Sequence, residues 1–205
     1  MNAPIFFFIG PPQHGKTEAR KLAAEITGLQ GASCSDVIHA FLAARMNSTV
    51  EKWRAQDKEK RRAAEIEAGD FLCGHIGTLN LVAFDGTVDD DFYRCPSGLI
   101  RPLVQRGIRL IDGVRRRIEL ADAVNHLDWN GIPSVTIWVE RPGAPNIKDN
   151  TELTREHATE HIVNDGDLAQ LRASVRAVLE KYAPPKSEPS IFLGNKQPGG
   201  LFLGR

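Results

Sequence analysis

The sequence predicts a three-layer α/β fold, a parallel sheet with helices on both faces. Three observations carry that prediction. Residues 4–9 are wholly apolar, Pro4-Ile5-Phe6-Phe7-Phe8-Ile9, which suits a central strand covered on both sides. Strand-like runs recur at 108–111 and 134–139. Helical periodicities lie between them, and strands alternating with helices are the mark of a parallel sheet built from crossovers.

The elements follow in order. Residues 15–27 read as a helix, with Ala19, Leu22, Ala23 and Ile26 at helical spacing and Gly28 as its stop. Ser33 or Ser35 is placed to cap a second helix reaching Arg45, and Ser48 or Thr49 a third, highly charged one over 50–68. A further helical stretch is expected at 70–84, an acidic loop from Gly86 to Asp91, and a helix from Pro96 to near Gly107. The run 108–111 ends at Asp112-Gly113, and a helix over 117–130 closes at Gly131. The β-branched run 134–139 is a strand, and 141–150 is a loop rich in Pro, Gly and Asn. A polar helix at 151–160, a short strand at 161–163 and a final helix over 167–182 complete the pattern.

The 205 residues, 41% hydrophobic, are read as one domain over 1–183 with a tail at 184–205. The tail is rich in Pro, Gly and Ser but keeps Ile191, Phe192, Leu193, Leu201, Phe202 and Leu203, so docking on the body or a partner is expected of it. The 26 basic and 26 acidic residues cancel, which gives no support for a broad nucleic-acid footprint. Cys34, Cys73 and Cys95 make no disulfide framework and fit a reducing compartment. The apolar start lacks a basic flank and runs into Gly10-Pro11-Pro12, so it reads as a strand and not as a signal peptide. No apolar run approaches a membrane span. The expected location is the cytoplasm, the host's if the chain is phage-encoded.

Between the first strand and the first helix lies Gly10-Pro11-Pro12-Gln13-His14-Gly15-Lys16-Thr17, a full match to G-x-x-x-x-G-K-[ST]. About one random chain in a hundred of this length would match, given average usage. The strand before it and the helix after it supply the context the mechanism requires. Gly10 and Gly15 let the loop, with Gln13 and His14, turn its N–H groups toward phosphates, and the helix dipole adds to them. Lys16 is expected on the β- and γ-phosphates of ATP, and the Thr17 hydroxyl on Mg²⁺. Asp112, at the end of an apolar strand, is the second expected Mg²⁺ ligand. Arg115, Arg116, Arg117, Arg141 and Arg155 supply cations of the kind phosphoryl transfer uses.

Further phrases sharpen the reading. They are Ile111-Asp112-Gly113-Val114-Arg115-Arg116, Val139-Glu140-Arg141-Pro142-Gly143 and Ile162-Val163-Asn164-Asp165-Gly166-Asp167 before a terminal helix. Asp57-Lys58-Glu59-Lys60-Arg61-Arg62 precedes Ala68-Gly69-Asp70. With these, residues 4–182 resemble the P-loop nucleoside monophosphate kinase superfamily. The resemblance is nearest to phage deoxynucleoside monophosphate kinases and the related phage kinases of 5-hydroxymethyluracil in DNA.

The resemblance implies a P-loop NTPase fold with a helical acceptor-binding region at about 34–98 and a small lid at about 141–158. It implies that Lys16, Asp112, Arg115 and Arg141 are catalytic, Arg141 clamping the γ-phosphoryl. Arg115 or Arg116 would hold the acceptor phosphate, and Asn164, Asp165 and Gly166 would lie near the donor adenine. Asp36, Lys58, Arg61, Arg62 and Asp70 would line the acceptor site, the face 58, 61, 62 and 65 of one helix turning toward it.

The function this implies is Mg-ATP-dependent transfer of the γ-phosphoryl to a deoxynucleoside monophosphate. One alternative acceptor is a hydroxymethylated pyrimidine in DNA, with Asp36 or Asp112 taking the hydroxyl proton. A third reading is a nucleotide-binding switch that is not a kinase. Expected partners are the nucleotide or the modified DNA and a second copy of the chain in a homodimer, with no membrane. His157 and His161 are read as surface or lid residues, Cys73 and His75 as unsuited to zinc spacing, and Trp53, Trp129 and Trp138 as packing residues.

Overall fold

The computed structural model describes residues 3–75, 95–145 and 151–182, with the Lys58 side chain outside that set. The acidic loop, the tail, residues 146–150 of the expected lid and 76–94 of the expected acceptor region lie outside the described residues.

The chain runs β1 (Ile5–Ile9), α1 (Lys16–Thr27), β2 (Gly31–Ser33), α2 (Cys34–Arg45), α3 (Val50–Arg54), α4 (Lys58–Leu72) and α5 (Arg101–Gln105). It continues through β3 (Leu110–Asp112), α6 (Arg117–Trp129), β4 (Ser134–Glu140), a 3₁₀ turn (Arg155–His157), β5 (Glu160–Val163) and α7 (Leu168–Lys181). The five strands form one sheet in the order β2-β3-β1-β4-β5, and every pairing is parallel. The expected three-layer parallel architecture is the one observed.

β1 organises both layers. Its side chains alternate across the sheet. Ile5, Phe7 and Ile9 join a core with Val37 of α2, Leu103 of α5 and Leu120, Ala123 and Leu127 of α6. Phe6 and Phe8 face the opposite core, with Ala19, Leu22 and Ala23 of α1 and Leu171, Val175 and Val178 of α7. A strand buried on both faces needs no polar alternation, which is why this segment reads as an unbroken apolar run.

Several elements differ from expectation. β2 was not anticipated: Gly31-Ala32-Ser33 carries no apolar period, and it is a strand because it pairs with β3, Ser33 opposite Asp112. The charged helix over 50–68 is two helices, because Asp57 accepts from the N–H groups of Glu59 and Lys60 and so starts α4 afresh. α4 continues to Leu72, so the stretch expected at 70–84 begins inside it. The polar helix at 151–160 is only the 3₁₀ turn, since Thr159 already donates to the Thr136 carbonyl at 2.9 Å and leads into β5. Trp53 and Trp138 are buried, but Trp129, at the end of α6, is 92% exposed and is no packing residue. No described helix is long and apolar enough to cross a membrane.

Candidate functional site

The loop between β1 and α1 holds three left-handed residues, Gly10, Gln13 and Gly15. Two of them have no room for a side chain. A Cβ on Gly10 would lie 2.2 Å from the Val139 carbonyl oxygen, and one on Gly15 would lie 2.4 Å from Asn164 Nδ2. The loop is therefore wedged against β4 on one side and the β5–α7 turn on the other.

Asn164 is the back wall. It is 3% exposed, its amide Nδ2 donates to the His14 carbonyl at 3.1 Å, and its N–H donates to Glu140 O at 2.7 Å. The sequence suggested a residue near the donor base; the structure shows this side chain bonded to the loop backbone. Asp165 and Gly166 are exposed beyond it. His14 is held from the other side, its Nδ1 accepting the Arg141 N–H at 2.9 Å. Burial, and after it the nearby Lys16 charge, lower the His14 pKa below its usual 6.5, so the ring is neutral and keeps its acceptor lone pair.

The functional atoms face forward. Lys16 Nζ donates to the Gly10 and Pro11 carbonyls at 2.7 and 2.6 Å, lying across the loop it serves. Thr17 Oγ1 donates to Asp112 Oδ2 at 2.6 Å. Asp112 is 1% exposed, and its other oxygen faces Arg20 Nε at 3.4 Å. A hydroxyl and a carboxylate oxygen side by side are hard donors suited to Mg²⁺, which takes one or two protein ligands and keeps water and phosphate for the rest.

A cleft of ≈ 320 Å³ starts at Gly10, Lys16, Thr17 and Asp112 and extends between α2 and α4 to Arg62, Asp70, Arg115 and Arg116. Glu119 shapes its far end. This buried carboxylate accepts the N–H groups of Arg115 and Arg116, both at 3.2 Å, and fixes the backbone that carries the two arginines. The Arg116 guanidinium donates to Asp70 Oδ1 at 2.5 Å. Glu65, also on the wall, faces His39 Nε2 at 2.9 Å and Arg61 at 3.4 Å. Ser33, Ser35 and His39 line the cleft too, and no local pattern in the sequence marks His39 for it.

Three expected site residues lie elsewhere. Asp36 does not line the cleft: one oxygen caps α2 at the Ser33 N–H and the other holds Arg54 at 2.5 Å. Arg61 does not line it either, because its guanidinium lies behind Glu65. Arg141 leaves β4 beside His14 with an exposed side chain that is not part of the cleft wall. Arg155, the other arginine of that loop, pairs with Glu140 at 3.6 Å and bonds His161.

Cys73, His75 and Glu119 bring ligand atoms within 4.8 Å of one another. Burial and then Glu119 raise the Cys73 pKa, and Arg116 Nε stands 4.0 Å from the same carboxylate, so a cation would compete with a charge already present. Cys34 is likewise held as a thiol by burial.

No protein-family model and no curated protein matches the chain. Among solved structures it is similar to the APS kinase CysC of Mycobacterium tuberculosis in complex with AMPPNP and APS, at 12% identity, TM-score 0.49, over 88% of this chain and 99% of that one. It is also similar to an unliganded sugar kinase from Janibacter, at 14% identity, TM-score 0.40, over 89% of this chain and 97% of that one. Likenesses this distant say nothing of activity or acceptor, which rest on the geometry of the cleft.

Two outcomes follow from the clamp behind the loop. Asn164→Ala strands the His14 carbonyl and is expected to cost about 1–3 kcal/mol of stability, read as a lower urea midpoint, with weaker ATP binding alongside. The pH response has a fixed sign. A lowered folded-state pKa means the unfolded chain binds the proton more readily, so the His14 contribution is complete above pH 6.5 and is lost as pH falls below it. The difference in melting temperature between wild type and His14→Asn, which keeps an acceptor and cannot titrate, should therefore shift against wild type on acidification; a constant difference would contradict the assignment.

Proposed function

We propose that the chain is a Mg-ATP-dependent phosphotransferase whose acceptor is a deoxynucleoside monophosphate. One observation carries the proposal: Lys16, Thr17 and Asp112 share a single cleft with Arg62, Arg115 and Arg116 at its other end. That is an arrangement for two phosphates approaching head to head. The loop N–H groups and Lys16 suit the donor phosphates, and Thr17 and Asp112 suit Mg²⁺, which neutralises charge on them when bound. Lys16 must leave the Gly10 and Pro11 carbonyls to reach a phosphate, exchanging two neutral acceptors for an anion.

The acceptor end supports a phosphate as nucleophile. An incoming phosphate would compete with Asp70 for Arg116, while the Arg115 side chain is exposed beside it. An acceptor phosphate oxygen is ionised near neutral pH, so no general base is required. The oxygen attacks the γ-phosphorus, the bond to the β-bridging oxygen breaks, and ADP leaves with that electron pair. A hydroxyl acceptor, such as a hydroxymethylated base in DNA, would need a base; Asp36 is tied to Ser33 and Arg54, and Asp112 to Thr17. That engagement favours the nucleotide reading.

The test is ADP and labelled-product formation with Mg-ATP and each deoxynucleoside monophosphate in turn, and then with hydroxymethyluracil-containing DNA. Turnover on one or more of the nucleotides is expected. Lys16→Ala should lower kcat by about 10²–10³-fold, the usual cost of losing a donor to developing charge. Arg116→Ala should act mainly on the acceptor KM. Product on DNA alone would replace the acceptor assignment, and ADP without any phosphorylated acceptor would leave a nucleotide hydrolase or switch.

A further inference from the structure

The geometry points to Arg20 as a positioning residue for the Mg²⁺-binding carboxylate, and to Gly31 as the residue that gives it room. The inference rests on the reading of Thr17 and Asp112 as the metal-binding pair and adds two residues outside every recognisable motif.

Arg20 and Thr17 stand three residues apart on α1, so their side chains leave the same face. Each takes one oxygen of Asp112: Thr17 Oγ1 is 2.6 Å from Oδ2, and Arg20 Nε is 3.4 Å from Oδ1. The contact is enclosed, with the two side chains 12% and 2% exposed. Arg20 Nε and Asp112 Oδ1 have no hydrogen-bond partner among the described residues, and at 3.4 Å the two form an enclosed ion pair. A carboxylate this far from water loses most of its hydration, and an adjacent guanidinium is what keeps its charge affordable.

Gly31 explains how a guanidinium fits there. A Cβ at Gly31 would stand 2.7 Å from Arg20 Nη1 and 3.4 Å from its Cγ. β2 thus begins with a residue whose missing side chain is the space Arg20 occupies. Arg20 thus stands on the Oδ1 side of the carboxylate as its charge partner, while Oδ2 is turned toward Thr17. An outer partner that fixes a ligand oxygen in this way sets metal affinity without touching the metal.

Calorimetric titration of a non-hydrolysable ATP analogue, with Mg²⁺ and then with EDTA, reads this directly. Arg20→Ala is expected to lose about 10–100-fold in the Mg²⁺-dependent part of the affinity, the usual range for such outer partners. Its Mg²⁺-free binding should stay near wild type, and Arg20→Lys should recover part of the loss. Gly31→Ala keeps the arginine but displaces it, and should reproduce the loss. The double variant should then be no worse than Arg20→Ala, because both changes break one contact. Should Arg20→Ala fail to fold, the lysine and Gly31→Ala variants carry the same comparison. Folded variants with wild-type Mg²⁺ dependence, or losses that simply add, would overturn the role of Arg20 and leave the function standing. A wild-type chain that binds no nucleotide would overturn both.

Discussion

The hydrogen bond from Thr17 to Asp112 is the constraint on which the rest depends. It joins residues 95 positions apart. One sits at the start of α1 and the other at the end of β3. They meet because β3 lies beside β1 in the sheet, with Phe8 opposite Asp112. In a parallel sheet all strands point the same way, so the ends of β1 and β3 open on one edge, where ligands of such folds bind. The strand order and the site are thus one fact: β3 placed elsewhere would leave the P-loop without its carboxylate.

The price of that arrangement is a charge in a nearly dry place. The surrounding structure meets it with backbone geometry as much as with side chains. Gly10 admits no Cβ because the Val139 backbone presses on it, Gly15 stands against the buried Asn164 amide, and a Cβ on Gly31 would displace the end of Arg20. At the far end, Glu119 holds the Arg115 and Arg116 backbone by accepting two N–H groups. At both ends of the cleft the backbone that carries the charged groups is held in place, although Lys16 and Arg116 now rest on the loop carbonyls and on Asp70.

What could be read from the sequence was what is local. Residues 10–17 are contiguous, so the phosphate loop shows itself as a string, and β1 shows itself because burial on both faces removes all polar alternation. Asp112 was legible as the acid ending an apolar strand. β2 was not, because Gly31-Ala32-Ser33 is a strand only by virtue of its neighbour β3. Arg61 and Arg62 are one residue apart, yet helical rotation turns one behind Glu65 and the other into the cleft. Asp36 was read as a ligand carboxylate, whereas in the structure it caps α2 at the Ser33 N–H and holds Arg54, a placement that looks the same in sequence. Asn164 was picked out by its turn, but its work on a loop 150 positions earlier is a property of the folded chain.

On the proposed function, this loop and Asp112 hold a nucleoside triphosphate with Mg²⁺. A crystal structure with Mg²⁺ and a non-hydrolysable ATP analogue tests it most directly. The β-phosphate is expected among the N–H groups at the start of α1, with Lys16 Nζ moved from the Gly10 and Pro11 carbonyls onto phosphate and Mg²⁺ beside Thr17 and Asp112. An analogue bound elsewhere, or Lys16 still on those carbonyls with the nucleotide in place, would contradict it.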